Sequence, residues 1–385
     1  MIRLMRYTFF KEAETKRKLM AFIKDAEMLS MGRQCLIFEE QFAKKQERKH
    51  TVFVSSGSTA NLALLQALLN LGRLKKGDFV GVSAITWATN VMPIIQLGLV
   101  PKMIDVELDT LNVSSIELAK KMKGLSAFFI TNVLGFSSDL SAISKLCKKE
   151  KIILLEDNCE SLGSRHKGKL FGNFGLASTF SFFVGHHVST IEGGMIATDD
   201  EELYRMLALV RAHGWDRNLP GAHQKKLRET HKVDPFYGQY SFYDLAYNIR
   251  PTEISGFLGQ TQLAHLDTIV KIRERNFRRV HKIIEKNEKL IPLRFDHIDV
   301  VSCFAVPVIA RDHTTAIRLK KEFTNAEVEI RPIIAGNIAK QPFYKKYAKH
   351  ELMPNAEFIH TNGFYFGNHP ELEEKELKLL EKLLQ

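Results

Sequence analysis

This sequence lacks long apolar runs and closely spaced cysteines. It also lacks the pattern of a secretion signal. No stretch of the 385 residues approaches the about 18 consecutive apolar residues of a membrane span. Charged residues follow the first few apolar ones too soon for a secretory signal. The four cysteines lie far apart without a CxxC pair, at Cys35, Cys147, Cys159 and Cys303. This spacing argues against a metal site or a disulfide framework, so we expect a cytoplasmic protein with no metal and no membrane partner.

Acidic residues are outnumbered, with 44 Asp and Glu against 55 Lys and Arg, which gives a formal net charge of +11. Such an excess can indicate a nucleic-acid partner. However, the basic residues are dispersed, and the densest run, residues 271–282, contains an acid and is typical of one solvated helix face. We therefore expect no nucleic acid, and the charge equally suits an anionic substrate.

Strands and helices alternate over most of the chain. Strands are predicted at 50–54, 79–83, 101–106, 126–132 and 151–155, with helices between them. This alternation favours an α/β fold with right-handed crossovers. A long basic helix from about Arg273 and a mixture of strands and helices after it predict a smaller α+β domain. Because single cores seldom exceed about 250–300 residues, we predict two units, residues 1–255 with the large sheet and residues 256–385 with the long helix and small domain.

Two loops of the predicted sheet carry polar residues typical of a ligand site. The turn Ser-Gly-Ser-Thr at 56–59 precedes a helix, where free backbone N–H groups and the helix dipole attract anions. Taken alone, this turn is better explained as an ordinary helix N-cap. Asp157 follows an apolar strand, at the edge where α/β sheets bind ligands, and a helix-capping role is the alternative. By contrast, residues 221–238 are polar and poorly periodic, which predicts a flexible connection.

The most informative segment is FSFFVGHHVSTIEGG at residues 180–194. Ser181 leaves an apolar strand, His186 and His187 follow, and Glu-Gly-Gly begins six residues after His186. This layout resembles the active-site segment of the DegT/DnrJ/EryC1 family of sugar aminotransferases. The motifs SSGSTANL, EDNCESLG, RAHGWDRNLP and YNIRP occur in the family's order between about residues 50 and 251. In that family a lysine at the position of His186 binds pyridoxal phosphate covalently.

The resemblance implies a fold and a set of site residues. The fold would be that of the fold-type-I, aspartate aminotransferase-like enzymes, with a large mixed or parallel sheet and a smaller C-terminal α+β domain. His186 would be the catalytic residue. The residues expected to bind the cofactor are Gly57, Ser58, Trp87, Asp157, Ser181 and Asn248. The candidate substrate residues are Glu160, His213, Arg250 and Arg331.

Each of these roles has a simpler alternative in the residues themselves. A tryptophan such as Trp87 is more often a core residue, and Arg331 is equally compatible with a surface ion pair. Counting six residues back from Glu192 selects His186, so His187, on an extended segment, would point elsewhere. In the family the segment that here contains Asn248 reaches the neighbouring subunit's active site, which implies a homodimer with shared sites.

The replacement of lysine by histidine predicts the reaction. An imidazole forms no stable imine with an aldehyde but can move a proton, so the cofactor would be held non-covalently as pyridoxamine phosphate. The resemblance is greatest to one branch, the GDP-4-keto-6-deoxy-D-mannose 3-dehydratases of deoxysugar and O-antigen biosynthesis, which share this histidine. It implies loss of the C-3 hydroxyl from a nucleotide 4-keto-6-deoxy sugar, release of ammonia and regeneration of pyridoxamine phosphate by L-glutamate. The choice of GDP rests on the branch alone.

Other functions stay open. A nucleotide-sugar aminotransferase would need another lysine at the cofactor. A related branch of 3-dehydrases uses an iron-sulfur cluster, which requires grouped thiolates, and no cysteine occurs between Cys159 and Cys303. A non-catalytic binding homologue would be expected to have lost further site residues such as Asp157 or the phosphate turn, and both are present.

Overall fold

The strands form one large sheet and two small ones in the computed structural model, which describes residues 1–349 and 351–385. The strands are β1 (His50–Val54), β2 (Phe79–Ser83), β3 (Val100–Ile104), β4 (Leu125–Thr131), β5 (Ile153–Asp157), β6 (Arg165–His166), β7 (Lys169–Leu170), β8 (Ala177–Ser181), β9 (Gly194–Thr198), β10 (Ala305–Ile309), β11 (Ile330–Arg331) and β12 (Gly363–Gly367).

Helices flank these strands in the same part of the chain. They are α1 (Glu12–Asp25), α2 (Arg33–Gln46), α3 (Gly57–Asn70), α4 (Ala88–Gln96), α5 (Ser115–Lys121), α6 (Leu140–Lys149), α7 (Glu201–Arg211), α8 (Gly221–Thr230), α9 (Glu253–Leu263), α10 (Leu266–Ile284), α11 (His313–Asn325), α12 (Pro342–Tyr347), α13 (Pro354–Asn362) and α14 (Glu374–Leu383). Short 3₁₀ helices cover Val133–Gly135, Pro235–Tyr240 and Ile338–Lys340.

The large sheet has the strand order β1-β9-β8-β5-β4-β2-β3. The strands β3, β2, β4, β5 and β8 pair in parallel, whereas β9 is antiparallel to both β8 and β1. All strands of this sheet except β9 therefore end at the same edge. The small sheet, β10-β12-β11, is antiparallel. This is the mixed large sheet with a smaller C-terminal α+β part that the sequence predicts.

An aromatic cluster under the sheet supports the end of β8. Phe38 and Phe42 of α2 pack at tilted or edge-to-face angles against Phe53, Phe180 and Phe182, with ring centroids 4.9–5.4 Å apart. Such pairs add to the free energy that burial of their apolar area provides. Because Phe180 and Phe182 flank Ser181, the cluster fixes the residue at which β8 opens into the histidine segment.

The prediction of a flexible connection at residues 221–238 is wrong. These residues contain α8 and most of the 3₁₀ helix Pro235–Tyr240. The order comes from Arg228, whose Nε and Nη2 donate hydrogen bonds of 2.7 and 3.1 Å to the carboxylate of the buried Asp216. This bidentate pair joins residues 12 positions apart, so local periodicity does not reveal it.

Other element boundaries differ by a few residues. The strands β1 and β2 lie where they are predicted, and β5 ends two residues later than predicted, at Asp157. The long helix begins at Leu266, earlier than the expected Arg273. No helix among the described residues is long and apolar enough to cross a membrane. The division into two units at residue 255 stays a prediction.

Candidate active site

A cavity of about 370 Å³ opens where the parallel strands end. Thr131, Asp157 and Ser181, the last residues of β4, β5 and β8, all line it. The opposite wall comes from the C-terminal part of the chain. Its residues there include Phe304, Ile334, Tyr365 and Gly367. Both the position at the carboxyl edge of the sheet and the volume are typical of small-molecule sites in α/β proteins.

The cavity brings together most of the residues predicted from the sequence. Its lining includes Gly57, Ser58, Trp87, Asp157, Glu160, Ser181 and His186. The predicted residues Asn248, His213, Arg250 and Arg331 do not line it.

One end of the cavity is an anion site built on the first turn of α3. Ser56 and Thr59 form a capping box, in which each side chain accepts a hydrogen bond from the other residue's backbone N–H. Thr59, which belongs to the predicted anion-binding turn, is thus occupied as a cap. The backbone N–H groups of Gly57 and Ser58 have no intrahelical acceptor and point out of the helix N-terminus.

Gly57 allows Ser181 to join this anion site. A Cβ atom added at Gly57 would lie 2.6 Å from Cβ of Ser181 and 3.0 Å from Sγ of Cys159. Only glycine fits between these side chains without displacing them. The Ser181 hydroxyl therefore lies beside the N-terminus of α3, where two N–H groups and an O–H can bind one phosphate.

Asp157 is a buried carboxylate that lines the same cavity. Its Oδ2 accepts hydrogen bonds from Asn61 Nδ2 (3.1 Å) and Asn90 Nδ2 (2.6 Å), and its Oδ1 accepts one from the Cys159 N–H (2.9 Å). All three donors are neutral, and Asp157 forms no salt bridge with a described residue. A buried carboxylate of this kind favours a cationic ligand, such as a protonated pyridine nitrogen.

Trp87 contributes an aromatic side chain to the cavity lining. It is the N-cap residue of α4, and 54% of its surface is exposed although it lines the cavity. An indole ring that is accessible on one face can stack on an aromatic ligand. Because its side chain is exposed, Trp87 is not a core residue.

His186 lies on a tight turn after β8. Its N–H donates to the Phe183 carbonyl (2.9 Å), and its ring packs edge to face against Phe304, with centroids 5.5 Å apart. The buried Nδ1 has no hydrogen-bond partner among the described residues. Burial and the nearby Arg273 guanidinium lower the pKa of His186 to about 4. The imidazole is therefore neutral at pH 7, which is the form that can accept a proton, whereas an ordinary histidine would titrate near neutrality.

His187 points away from the cavity. Its Nε2 donates a proton to the Ser302 carbonyl (3.0 Å), because a carbonyl oxygen can only accept. Burial, together with Arg273 and His186, lowers the pKa of His187 well below its usual value. His187 is thus a neutral structural residue, as the count back from Glu192 indicates.

Glu160 is a second acid in the cavity wall. Its Oε2 accepts a hydrogen bond from the Leu134 N–H (2.9 Å), which holds Leu134 in the left-handed conformation (φ 54°). Burial raises the pKa of Glu160 to about 8, and the charge of Asp157 acts in the same direction. A carboxyl group with such a pKa can donate or accept a proton near neutral pH.

The four remaining predicted residues lie elsewhere on this chain. Arg250 donates from Nε to Oδ1 of Asn248 (2.9 Å) and lies over the ring of Trp215, which also packs against His213. Arg331 forms an ion pair with Glu329 at the surface, with 2.5 Å between Nη2 and Oε1. This is the simpler of the two roles that the sequence allows for Arg331.

The sequence does not reveal several residues of the site. Asn61 and Asn90 carry the only available signal, since each is a polar residue buried in a largely apolar helix. Tyr365 and Phe304 come from the C-terminal part of the chain, beyond the recognised motifs, which end at residue 251, and have no local signal. Burial and the nearby Glu160 raise the pKa of Tyr365, so its hydroxyl stays protonated in the cavity wall.

Known proteins resemble the chain over nearly its whole length. The model of the DegT/DnrJ/EryC1/StrS aminotransferase family matches residues 11–384. GDP-4-keto-6-deoxy-D-mannose 3-dehydratase of Escherichia coli O55:H7 (strain CB9615 / EPEC) is 38% identical over 368 residues, which are 91% of this chain and 92% of that protein. The protein of the same name from Yersinia pseudotuberculosis is 36% identical over 355 residues, 90% of this chain and 89% of its own.

A solved structure has the same fold. The crystal structure of GDP-4-keto-6-deoxymannose-3-dehydratase with a trapped PLP-glutamate geminal diamine superposes with a TM-score of 0.91. The two chains are 34% identical, and the match covers 100% of each.

Proposed function

The chain belongs to the DegT/DnrJ/EryC1/StrS aminotransferase family, and we propose that it is a GDP-4-keto-6-deoxy-D-mannose 3-dehydratase that uses pyridoxamine phosphate and pyridoxal phosphate. The observation that carries this proposal is that His186, which the resemblance puts in the place of the family's lysine, lines the cavity. Among the described residues that line the cavity there is no lysine. Relatives with this activity in their names are 36% and 38% identical to the chain.

The residues of the cavity fit this cofactor. Gly57, Ser58 and Ser181 would bind the phosphate, because they present N–H and O–H groups at a helix N-terminus that a side chain at Gly57 would block. Asp157 would pair with the protonated ring nitrogen, since its described partners are all neutral donors. Trp87 would stack on the ring. When bound, pyridoxamine phosphate supplies an amine that condenses with the sugar ketone and a ring that accepts electrons.

His186 would move the protons of the reaction. Its imidazole is neutral at pH 7, so one ring nitrogen can accept a proton from the carbon that bears the cofactor amine. The same nitrogen can then return the proton to the hydroxyl oxygen that leaves carbon 3. A lysine would be unsuited to this cycle because it would capture the aldehyde form of the cofactor covalently.

L-glutamate would restore the amine. In the overall reaction the sugar loses one oxygen atom, and glutamate is converted to 2-oxoglutarate and ammonia, so that atoms and electrons balance. The crystal structure of the related dehydratase contains a PLP-glutamate adduct, which supports glutamate as the amino donor. Glu160 is a further acid that lines the cavity and would contact the sugar.

The active unit would be a homodimer. Asn248 and Arg250 lie outside the chain's own cavity, and the family resemblance implies that their segment reaches the active site of the neighbouring subunit. The preceding residues expose a cluster of large apolar side chains, Phe236, Tyr237, Tyr240, Phe242 and Leu245. An exposed cluster of this kind marks an interface. Mixing His186→Asn with Arg250→Ala subunits should restore activity that each variant lacks, and failure to do so in verified mixed dimers would contradict shared sites.

The working compartment would be the cytoplasm. All four cysteines are free thiols, and Cys35, Cys147 and Cys303 are buried. Free thiols in every position suit a reducing compartment.

The test is a direct assay with a panel of nucleotide sugars. Purified protein, pyridoxamine phosphate and L-glutamate are incubated with GDP-, CDP- and dTDP-linked 4-keto-6-deoxy sugars. We expect a product of the GDP sugar that lacks one oxygen atom, together with ammonia and 2-oxoglutarate. A stable amino sugar would instead show an aminotransferase, and no turnover of any sugar with cofactor bound would indicate a binding homologue.

A further inference from the structure

Arg273 is a charged residue in the interior that none of the predicted roles uses. It lies on α10 and is only 1% exposed. Its Nε and Nη1 atoms have no hydrogen-bond partner among the described residues. Because burial of a charge costs free energy unless it is compensated, an arginine in this position requires a specific function.

The remaining nitrogen of Arg273 contacts the proposed base. Nη2 donates a hydrogen bond of 3.1 Å to the backbone carbonyl of His186. The N–H of His186 donates to the Phe183 carbonyl at 2.9 Å. Both backbone polar groups of His186 are therefore fixed, the N–H by its own turn and the carbonyl by α10.

Arg273 cannot contact the substrate directly. It is absent from the lining of the large cavity and instead lines a second cavity of about 20 Å³. This volume admits about one water molecule. His186 lines both cavities, so any effect of Arg273 on the reaction must act through His186.

The backbone of Arg273 is itself tied to the C-terminal part of the chain. Asn368 donates from Nδ2 to the carbonyls of Arg273 (2.9 Å) and Cys303 (3.0 Å). Asn368 follows β12, whose Tyr365 lines the large cavity. The position of Arg273 is thus fixed relative to the wall opposite the sheet.

We propose that Arg273 is a positioning residue for His186, which holds the His186 turn through the carbonyl hydrogen bond and places a permanent positive charge beside the imidazole. The proposal rests on the role of His186 as the base in the proposed function. A guanidinium suits both tasks because it stays charged when it is buried and donates in a fixed planar geometry.

The charge of Arg273 explains part of the behaviour of His186. Burial is the larger cause of the lowered pKa of about 4, and Arg273 is the second. The other titratable groups that face the imidazole in the large cavity are Asp157, Cys159, Glu160, Glu192 and Tyr365. In the small cavity they are Tyr7, His187 and Glu371. None of these groups is a permanent cation, so Arg273 is the charge whose removal should raise the pKa.

The experiment measures the His186 imidazole and not only turnover. The chain is labelled with ¹⁵N-histidine, the His186 signal is assigned by its loss in His186→Asn, and the ring is titrated by NMR in the holoenzyme. In the wild type we expect the imidazole to stay neutral to well below the usual histidine pKa. In Arg273→Met the titration should move to higher pH by on the order of one unit, whereas Arg273→Lys, which retains the charge, should stay near the wild type.

A second pair of readouts separates positioning from simple damage. In Arg273→Met, kcat should fall about tenfold or more with little change in the KM for the sugar. The acidic limb of the pH profile of kcat should move to higher pH. The matched control is Glu39→Gln combined with Arg211→Met, which removes another buried arginine and its ion-pair partner outside both cavities. This control should lose stability without any change in the His186 titration.

The contradicting results are distinct from those for the proposed function. An unchanged His186 titration in folded, cofactor-binding Arg273→Met would overturn the positioning role. If that variant does not fold, the titration of His186 in the wild-type protein is the test. A wild-type His186 that titrates near the ordinary histidine pKa would equally overturn the positioning role. Absence of sugar turnover in the wild type would refute the proposed function but would leave the NMR comparison valid.

Discussion

Gly57 and Ser181 approach so closely that a Cβ atom on Gly57 would lie 2.6 Å from Cβ of Ser181. The contact joins the first turn of α3 to the last residue of β8. It places backbone N–H groups and a hydroxyl at one end of the cavity. The proposed phosphate site therefore requires that residue 57 has no Cβ atom.

Gly57→Ala should weaken cofactor binding. The new methyl group would push Ser181 away from the helix N-terminus, and we expect the Kd for pyridoxal phosphate to rise about tenfold or more, equivalent to about 1.4 kcal/mol. Absorbance titration measures this directly. Gly221→Ala is the control, because a Cβ at Gly221 meets nothing within 4 Å, and its Kd should equal that of the wild type. Equal affinity in Gly57→Ala would remove this turn from the phosphate site.

Asp157→Asn should retain the fold and lose most turnover. The amide is isosteric, but it cannot stabilise a protonated ring nitrogen, so kcat should fall about 100-fold or more, as for other preorganised electrostatic groups. Asn90→Ala, which removes only one of the donors to Asp157, should cost less. Steady-state kinetics with the GDP sugar compares the two variants. A larger fall in kcat for Asn90→Ala than for Asp157→Asn would show that turnover does not depend on the carboxylate charge of Asp157.

His186→Asn should separate binding from proton transfer. The variant keeps a polar side chain of moderate size but has no group that accepts and returns a proton, so kcat should fall about 100-fold or more. Its affinity for the cofactor should change little, because the proposed contacts to phosphate and ring come from other residues. Ammonia release and cofactor absorbance measure the two effects. Full activity of His186→Asn would place the base elsewhere.

Glu160→Gln should change how stability depends on pH. The folded-state pKa of Glu160 is about 8 against an ordinary 4.5. The folded state therefore favours the protonated carboxyl, and its contribution to stability is complete below about pH 4.5 and is lost as the pH rises through 8. The neutral amide avoids this loss. In the cofactor-free protein we expect Glu160→Gln to raise the Tm relative to the wild type at pH 8.5 and to leave it nearly unchanged at pH 4.5. Equal Tm differences at both pH values would contradict the raised pKa.

The sequence predicts the parts of the site that local patterns encode. The spacing of His186 from Glu-Gly-Gly, the Ser-Gly-Ser-Thr turn and Asp157 at a strand end all place residues that line the cavity. These are turns at the carboxyl ends of parallel strands, where position along the strand determines position in the fold. The strands β1 and β2 are likewise found at the predicted residues.

Contacts between distant segments are what the sequence does not reveal. The Arg273 guanidinium reaches the His186 carbonyl across 87 positions. The low pKa of His186 depends on burial and on the charge of this guanidinium. The wrong prediction of flexibility for residues 221–238 has the same origin, because Arg228 orders them by pairing with Asp216. Local periodicity reports on elements, whereas charges and pairings inside the fold depend on tertiary packing.

Borohydride trapping tests the central claim most directly, namely that an imidazole replaces the covalent lysine of the family. Protein incubated with pyridoxal phosphate is reduced, digested and mapped by mass spectrometry. We expect no phosphopyridoxyl group on any lysine of the wild type, and one on the peptide that contains position 186 in the His186→Lys variant. A phosphopyridoxyl-lysine in the wild-type protein would contradict the account.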